Sequence, residues 1–226
     1  MKMGCIILAC DSLRLHVEAA QAKMGTCHGV RLLDSTLHAR PEKMNEAVFE
    51  AIAGLPPQVD TVLLAMGLCG GSVSGKPFPR RTVIPKVDDC ITLLLHRDQT
   101  WHPDLKECGH FYLTDTLDSR LSIENMHRRL REEYGERDGM EIFNMWFASY
   151  ESVDIIDTGV YDCRSAEYVE KAQRQAALVN CPLTYVDGSN LLLEKLVSGQ
   201  WDHQFIVAEQ GQVLDQMDFS TGTSGI

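Results

Sequence analysis

Short apolar runs alternate with segments of helical periodicity along most of the chain. The runs at 5–9, 61–67 and 81–87 are typical of strands that are buried on both faces. Segments 13–24 and 42–55 place apolar residues every three or four positions, as amphipathic helices do. This alternation predicts an α/β fold, with a mostly parallel open sheet and helices on both of its faces.

The same alternation continues through the second half of the chain, after a less regular helical stretch interrupted near Gly135. The further predicted strands are 29–38, 109–115, 153–162, 183–189 and 204–210. We predict a single α/β domain over residues 1–214, with two similar lobes of about 1–115 and 116–214 as the alternative. The polar residues 215–226 show no periodicity and are predicted to form a flexible tail.

Several polar residues mark where the predicted helices begin. Asp11 and Ser12 follow the first strand and can cap the helix after it. Pro41 suits the first turn of the next helix, where a missing N–H costs nothing. Asp88 or Asp89 is the expected N-cap of a short helix after the fourth strand.

Three of the eight cysteines lie just after predicted strands: Cys10, Cys69 and Cys90. The carboxyl ends of parallel strands share one edge, where open α/β folds bind ligands, so we expect the three thiols to converge. Three protein ligands with an open position are typical of catalytic zinc, and three thiolates around a cluster with one free iron are the sulfur-rich counterpart. We predict a metal site, with zinc and an iron–sulfur cluster both open.

Other side chains at the same predicted edge are candidates for catalysis. His38 is a fourth ligand, a general base or a structural histidine. Arg40 could clamp a carboxylate or phosphate, or form a surface ion pair with Glu42. Asp157 could act as a carboxylate base, although an aspartate at this position also commonly stabilises a turn.

A glycine-rich loop follows the third strand, and its glycines Gly67, Gly70 and Gly71 are candidate cofactor-binding residues. Glycine allows left-handed turns, and consecutive N–H groups can form a nest for an anion or for cluster sulfides. The alternative is that these glycines serve only as a turn. Thr158 and Tyr161, which follow a later strand, complete the candidate cofactor-binding set.

Net charge, missing motifs and the lengths of the apolar runs exclude some classes of function. The formal net charge of −11 argues against binding to nucleic acid. Neither a dinucleotide-binding nor a P-loop motif occurs. The first apolar run is too short for a secretion signal, and no window approaches a transmembrane helix. We therefore expect a cytoplasmic protein whose cysteines are thiols, ligands or catalysts.

Six segments together resemble the family named domain of unknown function 1638. They are LHARPEKM (37–44), VLLAMGLCGG (62–71), VIPKVDDCITLLLHRD (83–98), HFYLTD (110–115), IDTGVYD (156–162) and LLEKLVSGQWDHQFIVAEQGQ (192–212). Members of this family are often encoded beside corrinoid-dependent methyltransferase systems for methylated compounds. The resemblance therefore implies one-carbon metabolism, with a corrinoid protein or methyltransferase as partner.

Three functions remain open from the sequence. The first is a metal-dependent or iron–sulfur-cluster-dependent enzyme of one-carbon, methyl-group or sulfur metabolism, with a small substrate at the open coordination position. The second is a non-catalytic protein that binds or delivers a metal, a corrinoid or a methylated ligand. The third is a metal-free enzyme with Cys90 or Cys69 as nucleophile and His38 as base.

Overall fold

The computed structural model describes residues 4–117 and 120–220. These residues form two compact units. The first unit runs to Leu105 and resumes at Ser189, and the second is Lys106–Gly188. Each unit is built around its own sheet.

The elements follow one another in the predicted alternating order. The described strands are β1 (Gly4–Cys10), β2 (Gly29–Leu33), β3 (Val59–Ala65), β4 (Arg81–Pro85), β5 (His110–Leu113), β6 (Ser152–Asp157), β7 (Leu183–Asp187) and β8 (Phe205–Ala208). The described α-helices are α1 (Arg14–Met24), α2 (Pro41–Ala53), α3 (Cys90–Leu95), α4 (Ile123–Tyr134), α5 (Glu136–Phe147), α6 (Ala166–Leu178), α7 (Leu191–Ser198) and α8 (Met217–Ser220). Of the predicted tail, residues 221–226 lie outside the described residues.

The sheet of the first unit has the strand order β2-β1-β3-β4-β8. Its first four strands are parallel, and β8 pairs with β4 in the antiparallel direction. The sheet of the second unit has the order β5-β6-β7 and is parallel throughout. The predicted α/β class, with mostly parallel sheets and surrounding helices, is confirmed.

Burial explains why the central strands are almost continuously apolar. In β1 and β3, Leu8 and Leu64 are at most 1 % exposed and pack in one core with Met44 and Ile52 of α2. A strand covered on both faces gains from an apolar side chain at nearly every position, because each buried side chain contributes roughly 1.5–3 kcal/mol.

One fully buried carboxylate interrupts the apolar pattern of the second unit. Asp154 lies in β6, the central strand, and accepts hydrogen bonds from Ser152, from Thr184 at 2.5 Å and from Nδ1 of His110 at 2.5 Å. Burial alone would raise the pKa of Asp154, but these hydrogen bonds hold it below its usual range. The same contact raises the pKa of His110 above its usual range. Asp154 therefore ties all three strands of this sheet together.

Two local predictions near the first strands are wrong. The predicted strand 29–38 ends at Leu33, and a 3-10 turn, Ser35–Ala39, follows it. The turn forms because the Asp34 side chain accepts a hydrogen bond from the backbone of Thr36. Asp11 does not cap α1, because a further 3-10 turn precedes that helix.

Other helix starts agree with the sequence. Pro41 is the first residue of α2, as predicted. Asp89 is the N-cap of α3, and its carboxylate accepts a hydrogen bond from the backbone of Thr92 at 2.9 Å. None of the helices within 4–117 and 120–220 is long and apolar enough to span a lipid bilayer.

Candidate metal centre

The three predicted cysteines lie at or just after the carboxyl ends of three adjacent parallel strands. Cys10 is the last residue of β1, Cys69 follows β3, and Cys90 begins α3 after β4. The Sγ atoms of Cys69 and Cys90 are 4.0 Å apart. The donor atoms of Cys10, His38 and Cys90 all lie within 4.8 Å of one another. Cys90 therefore lies beside both other thiols, and His38 joins the group.

Cys10 is the most deeply buried member of this group. Its side chain is 0 % exposed, and its Sγ atom lies 3.2 Å from Nε2 of His38. The hydroxyl of Ser12 donates a hydrogen bond to the same sulfur at 3.1 Å. Ser12 donates to the Cys10 sulfur, and His38 does so when its Nε2 carries a proton, so both contacts can favour the thiolate form of Cys10.

His38 is positioned by a 3-10 turn whose first amides are bound by two carboxylates. Asp34 accepts a hydrogen bond from the amide of Thr36 at 2.8 Å, and Asp11 accepts one from the amide of Ser35 at 3.1 Å. Because Asp11 belongs to the loop after β1, this second hydrogen bond joins the two segments that carry Cys10 and the histidine. Asp11 is therefore a positioning residue for the site.

The loop that carries Cys69 makes a left-handed turn. The φ angles of Cys69, Gly70 and Gly71 are 47°, 67° and 93°. The amides of Gly71 and Ser72 both donate to the carbonyl of Leu68, at 3.1 and 2.9 Å. Glycine adopts this conformation without cost, whereas a cysteine there is strained. The two glycines therefore allow the turn, and Cys69 is held in it despite the cost.

A close backbone contact brings this loop against the loop that precedes Cys90. The amide of Leu68 donates to the carbonyl of Val87 at 2.9 Å, and the amide of Cys69 donates to the carbonyl of Asp88 at 2.6 Å. A Cβ atom on Gly67 would lie only 2.7 Å from the Val87 carbonyl oxygen. Gly67 is therefore required for the approach of the two loops.

The amides of the glycine-rich loop are mostly engaged within the protein. Those of Leu68, Cys69, Gly71 and Ser72 donate to backbone carbonyls. The geometry thus gives the glycines of this loop a role in shaping it. Cofactor binding by Gly67, Gly70 and Gly71 stays a prediction.

The charges of the four side chains depend on one another. Hydrogen bonding to Cys90 lowers the pKa of Cys10 to about 5 and that of Cys69 to about 6, against the effect of burial, and His38 lowers both further. Donation to both sulfurs raises the pKa of Cys90. Burial opposes protonation of His38, but the two thiolates raise its pKa to about 10. These shifts favour the thiolate forms of Cys10 and Cys69 and the protonated form of His38, and thiolates are the form that binds metals.

The other predicted site residue of the first unit is Arg40. It is exposed and occupies the N-cap position of α2, directly after the 3-10 turn that carries His38. Its proposed anion clamp stays a prediction.

The remaining predicted residues, Asp157, Thr158 and Tyr161, belong to the second unit. Asp157 accepts hydrogen bonds from the amide two residues later at 3.3 Å and from Arg164 at 3.1 Å. Thr158 accepts one from the amide two residues later at 3.4 Å. Tyr161 donates to the carbonyl of Ile156 at 2.6 Å. These contacts stabilise the turn after β6, and roles in catalysis or cofactor binding stay predictions.

Sequence reasoning did not identify Ser12 or Asp11 as parts of the site. Ser12 lies two residues after Cys10, and this C-x-S spacing directly after a strand was an available signal. The role of Asp11 depends on its contact with Ser35, 24 residues away, for which the local sequence carries no signal.

The fold and the site together define an α/β protein with a cysteine and histidine group that could hold a metal ion. The family described as "Protein of unknown function (DUF1638)" matches residues 32–197, and the chain belongs to this family. The predicted resemblance is thereby confirmed. The match includes His38, Cys69 and Cys90, and Cys10 lies before it. No curated protein and no solved structure matches the chain significantly.

Proposed function

We propose that Cys10, His38 and Cys90 bind a zinc ion, and that the protein is a metal-dependent enzyme of one-carbon, methyl-group or sulfur metabolism. The observation that carries the proposal is the convergence of these three donor atoms within 4.8 Å of one another. Zinc bonds of about 2.0–2.3 Å in a tetrahedral site put neighbouring donor atoms about 3.3–3.8 Å apart. The 3.2 Å between Cys10 and His38 requires only a small adjustment to reach this spacing.

The donor set favours zinc over an iron–sulfur cluster. A four-iron cluster binds each thiolate to a different iron atom, which requires more widely spaced cysteines than those found here. Zinc accepts a mixture of thiolate and imidazole ligands around one compact ion. A protonated His38 must lose its proton to become a ligand, so zinc binding is expected to release protons.

Three protein ligands leave a fourth position for a small substrate. When bound, zinc would act there as a Lewis acid and lower the pKa of a bound thiol or water. The protein's own contribution is to bury Cys10, to supply the Ser12 hydroxyl to its sulfur and to orient His38 through Asp11. Second-shell contacts of this kind orient ligands and tune a bound metal.

The reaction class and the partners follow from the donor set and from the family resemblance. Thiolate-bound zinc suits methyl transfer to a thiol, and the resemblance described above associates the family with corrinoid-dependent methyltransferases. We therefore propose a corrinoid protein or a methyltransferase as partner. The proposal also places the protein in the cytoplasm, where free cysteines stay reduced.

Metal analysis of anaerobically purified, zinc-loaded protein tests the proposal. We expect one zinc per chain in the wild type and its loss in Cys90→Ser. Cys181→Ser is a matched control, because Cys181 is a partly buried free cysteine of the other unit. Protein without stoichiometric zinc or iron would refute the metal site. Bound iron with broad visible absorption would show that the site holds an iron–sulfur cluster and not zinc. Stoichiometric zinc in a protein inactive toward every methyl donor would favour a delivery function.

A metal-free cysteine enzyme is the second candidate, and the contact between Cys10 and His38 favours it. The Cys10 sulfur lies 3.2 Å from Nε2 of His38, and a thiolate paired with an imidazolium is the arrangement that activates cysteine nucleophiles. If the protein is a metal-free cysteine enzyme, one cysteine of the cluster should react with iodoacetamide far faster than the others at neutral pH. Its activity should also survive chelation. Protection of the whole cluster by zinc would argue against a metal-free enzyme.

A further inference from the structure

One thiol of the cluster lies beside the proposed zinc ligands without belonging to them. The three-donor group comprises Cys10, His38 and Cys90. Cys69 is 7 % exposed, and its Sγ atom lies 4.0 Å from that of Cys90. Both are free cysteines. A disulfide has an S–S distance of about 2.05 Å, so rotation of two side chains by a modest amount could join these sulfurs.

The backbone gives a second, independent sign that the Cys69 side chain has a function. Its φ angle of 47° lies in the left-handed region, where side chains other than those of asparagine and aspartate are uncommon. The next two residues, Gly70 and Gly71, adopt the same region. A third glycine would form this turn at lower cost, so the presence of a cysteine indicates that its thiol is used. Strained residues of this kind cluster at functional sites.

We propose that Cys69 and Cys90 form a reversible disulfide when the protein meets a peroxide. One sulfur attacks a peroxide oxygen, the O–O bond breaks, and a sulfenic acid and a first water are formed from hydrogen peroxide. The second sulfur attacks the sulfenic sulfur, the S–O bond breaks, and a second water leaves. Both thiol protons end in water, and the two electrons lost by the sulfurs reduce the peroxide.

The disulfide would control the metal site, a step that rests on the proposed function. Cys90 takes part in both the proposed metal site and the proposed disulfide, because it is a donor of the three-ligand group and the neighbour of Cys69. Its oxidation leaves Cys10 and His38 as the only donors of that group. Two ligands are too few for a stable zinc site. Peroxide is therefore expected to release the metal, and a dithiol reductant to restore binding.

Peptide mapping of full-length protein after treatment with hydrogen peroxide tests the pairing directly. We expect a peptide that joins Cys69 to Cys90, with the loss of two hydrogens, both in zinc-free and in zinc-loaded protein. Dithiothreitol should reverse it. Mapped disulfides that involve other cysteines, or irreversible oxidation of Cys90 without a link to Cys69, would overturn the proposal. The zinc-free arm gives this answer even if the protein binds no metal.

Zinc release tests the consequence. With a chromogenic chelator, we expect one zinc to be released for each disulfide formed in the wild type. The Cys69→Ser variant should form no such disulfide and lose the coupled release, whereas Cys181→Ser should behave as the wild type. Zinc that stays bound after complete formation of the disulfide would refute the switch.

Discussion

The close approach of backbone to Gly67 gives a quantitative prediction for Gly67→Ala. The new Cβ atom would lie 2.7 Å from the carbonyl oxygen of Val87 and 2.8 Å from the backbone nitrogen of Asp89, whereas ordinary contact begins at 3.4 Å. The two loops must therefore separate by roughly 0.7 Å. This displacement would stretch the 2.9 Å hydrogen bond between Leu68 and Val87 beyond the usual N–H···O range.

The expected cost combines two effects and one compensation. Overpacking against rigid backbone costs about 1–3 kcal/mol, and a lost hydrogen bond costs about 0.5–1.5 kcal/mol. Replacing glycine restricts the unfolded chain, which stabilises the folded state by about 0.4–1 kcal/mol relative to it. We expect the free energy of unfolding to fall by about 0.5–4 kcal/mol in urea denaturation. Zinc affinity, measured by competition with a chelator, should fall about 10-fold to 100-fold, as is typical when support of the ligands is lost.

Gly29→Ala is the matched control for this experiment. Its new Cβ atom would meet only the side chain of Ile6 at 3.8 Å, which is an ordinary contact. We expect the free energy of unfolding to change by less than about 0.5 kcal/mol and zinc affinity to stay the same. If Gly67→Ala were as stable as this control and bound zinc equally well, the inferred role of the loop contact would be wrong.

Three further changes test other parts of the account. Asp11→Ala removes the hydrogen bond to the turn that carries His38, and should cost about 1 kcal/mol in thermal or urea unfolding and weaken zinc binding; unchanged zinc affinity would contradict the positioning role. Cys10→Ser should abolish stoichiometric zinc in elemental analysis while the protein stays folded by circular dichroism. The contact with Asp154 raises the pKa of His110, so the protonated histidine stabilises the folded protein. This stabilisation is complete at pH values below the unfolded pKa of about 6.5, and it is lost as the pH rises through the pKa of the folded state. In urea titrations from pH 6 to 9, the free energy of unfolding of Asp154→Asn should lack this loss with rising pH. A loss equal to that of the wild type would refute the stabilising role of the contact between His110 and Asp154.

The fold class and the positions of the cysteines could be predicted because they depend on local patterns. Buried parallel strands are apolar at nearly every position, so their ends were visible in the sequence. Once the strands were assigned, the common edge of a parallel sheet placed Cys10, Cys69 and Cys90 close together. Pro41 and Asp89 marked their helices correctly, because N-terminal preferences act within a few residues.

The features that were not predicted depend on contacts between distant residues. β8 pairs with β4 in the antiparallel direction. This direction depends on how the chain connects the strands, and the apolar pattern of the β8 residues does not reveal it. Asp11 binds Ser35 across two segments instead of capping the helix that follows it. The left-handed conformation of Cys69 has no signal in the sequence, since cysteine has no preference for it. His38 reaches the site on a short turn where a longer strand was expected.

X-ray absorption at the zinc edge, on zinc-loaded full-length protein, tests the central claim most directly. The account predicts one zinc per chain with two sulfur ligands at about 2.3 Å and one imidazole nitrogen at about 2.0–2.1 Å. It also predicts that this signal disappears in Cys90→Ser and persists in Cys181→Ser. A zinc surrounded only by oxygen and nitrogen, or a sulfur-ligated zinc that survives the loss of Cys90, would contradict the assignment of Cys10, His38 and Cys90 as the metal site.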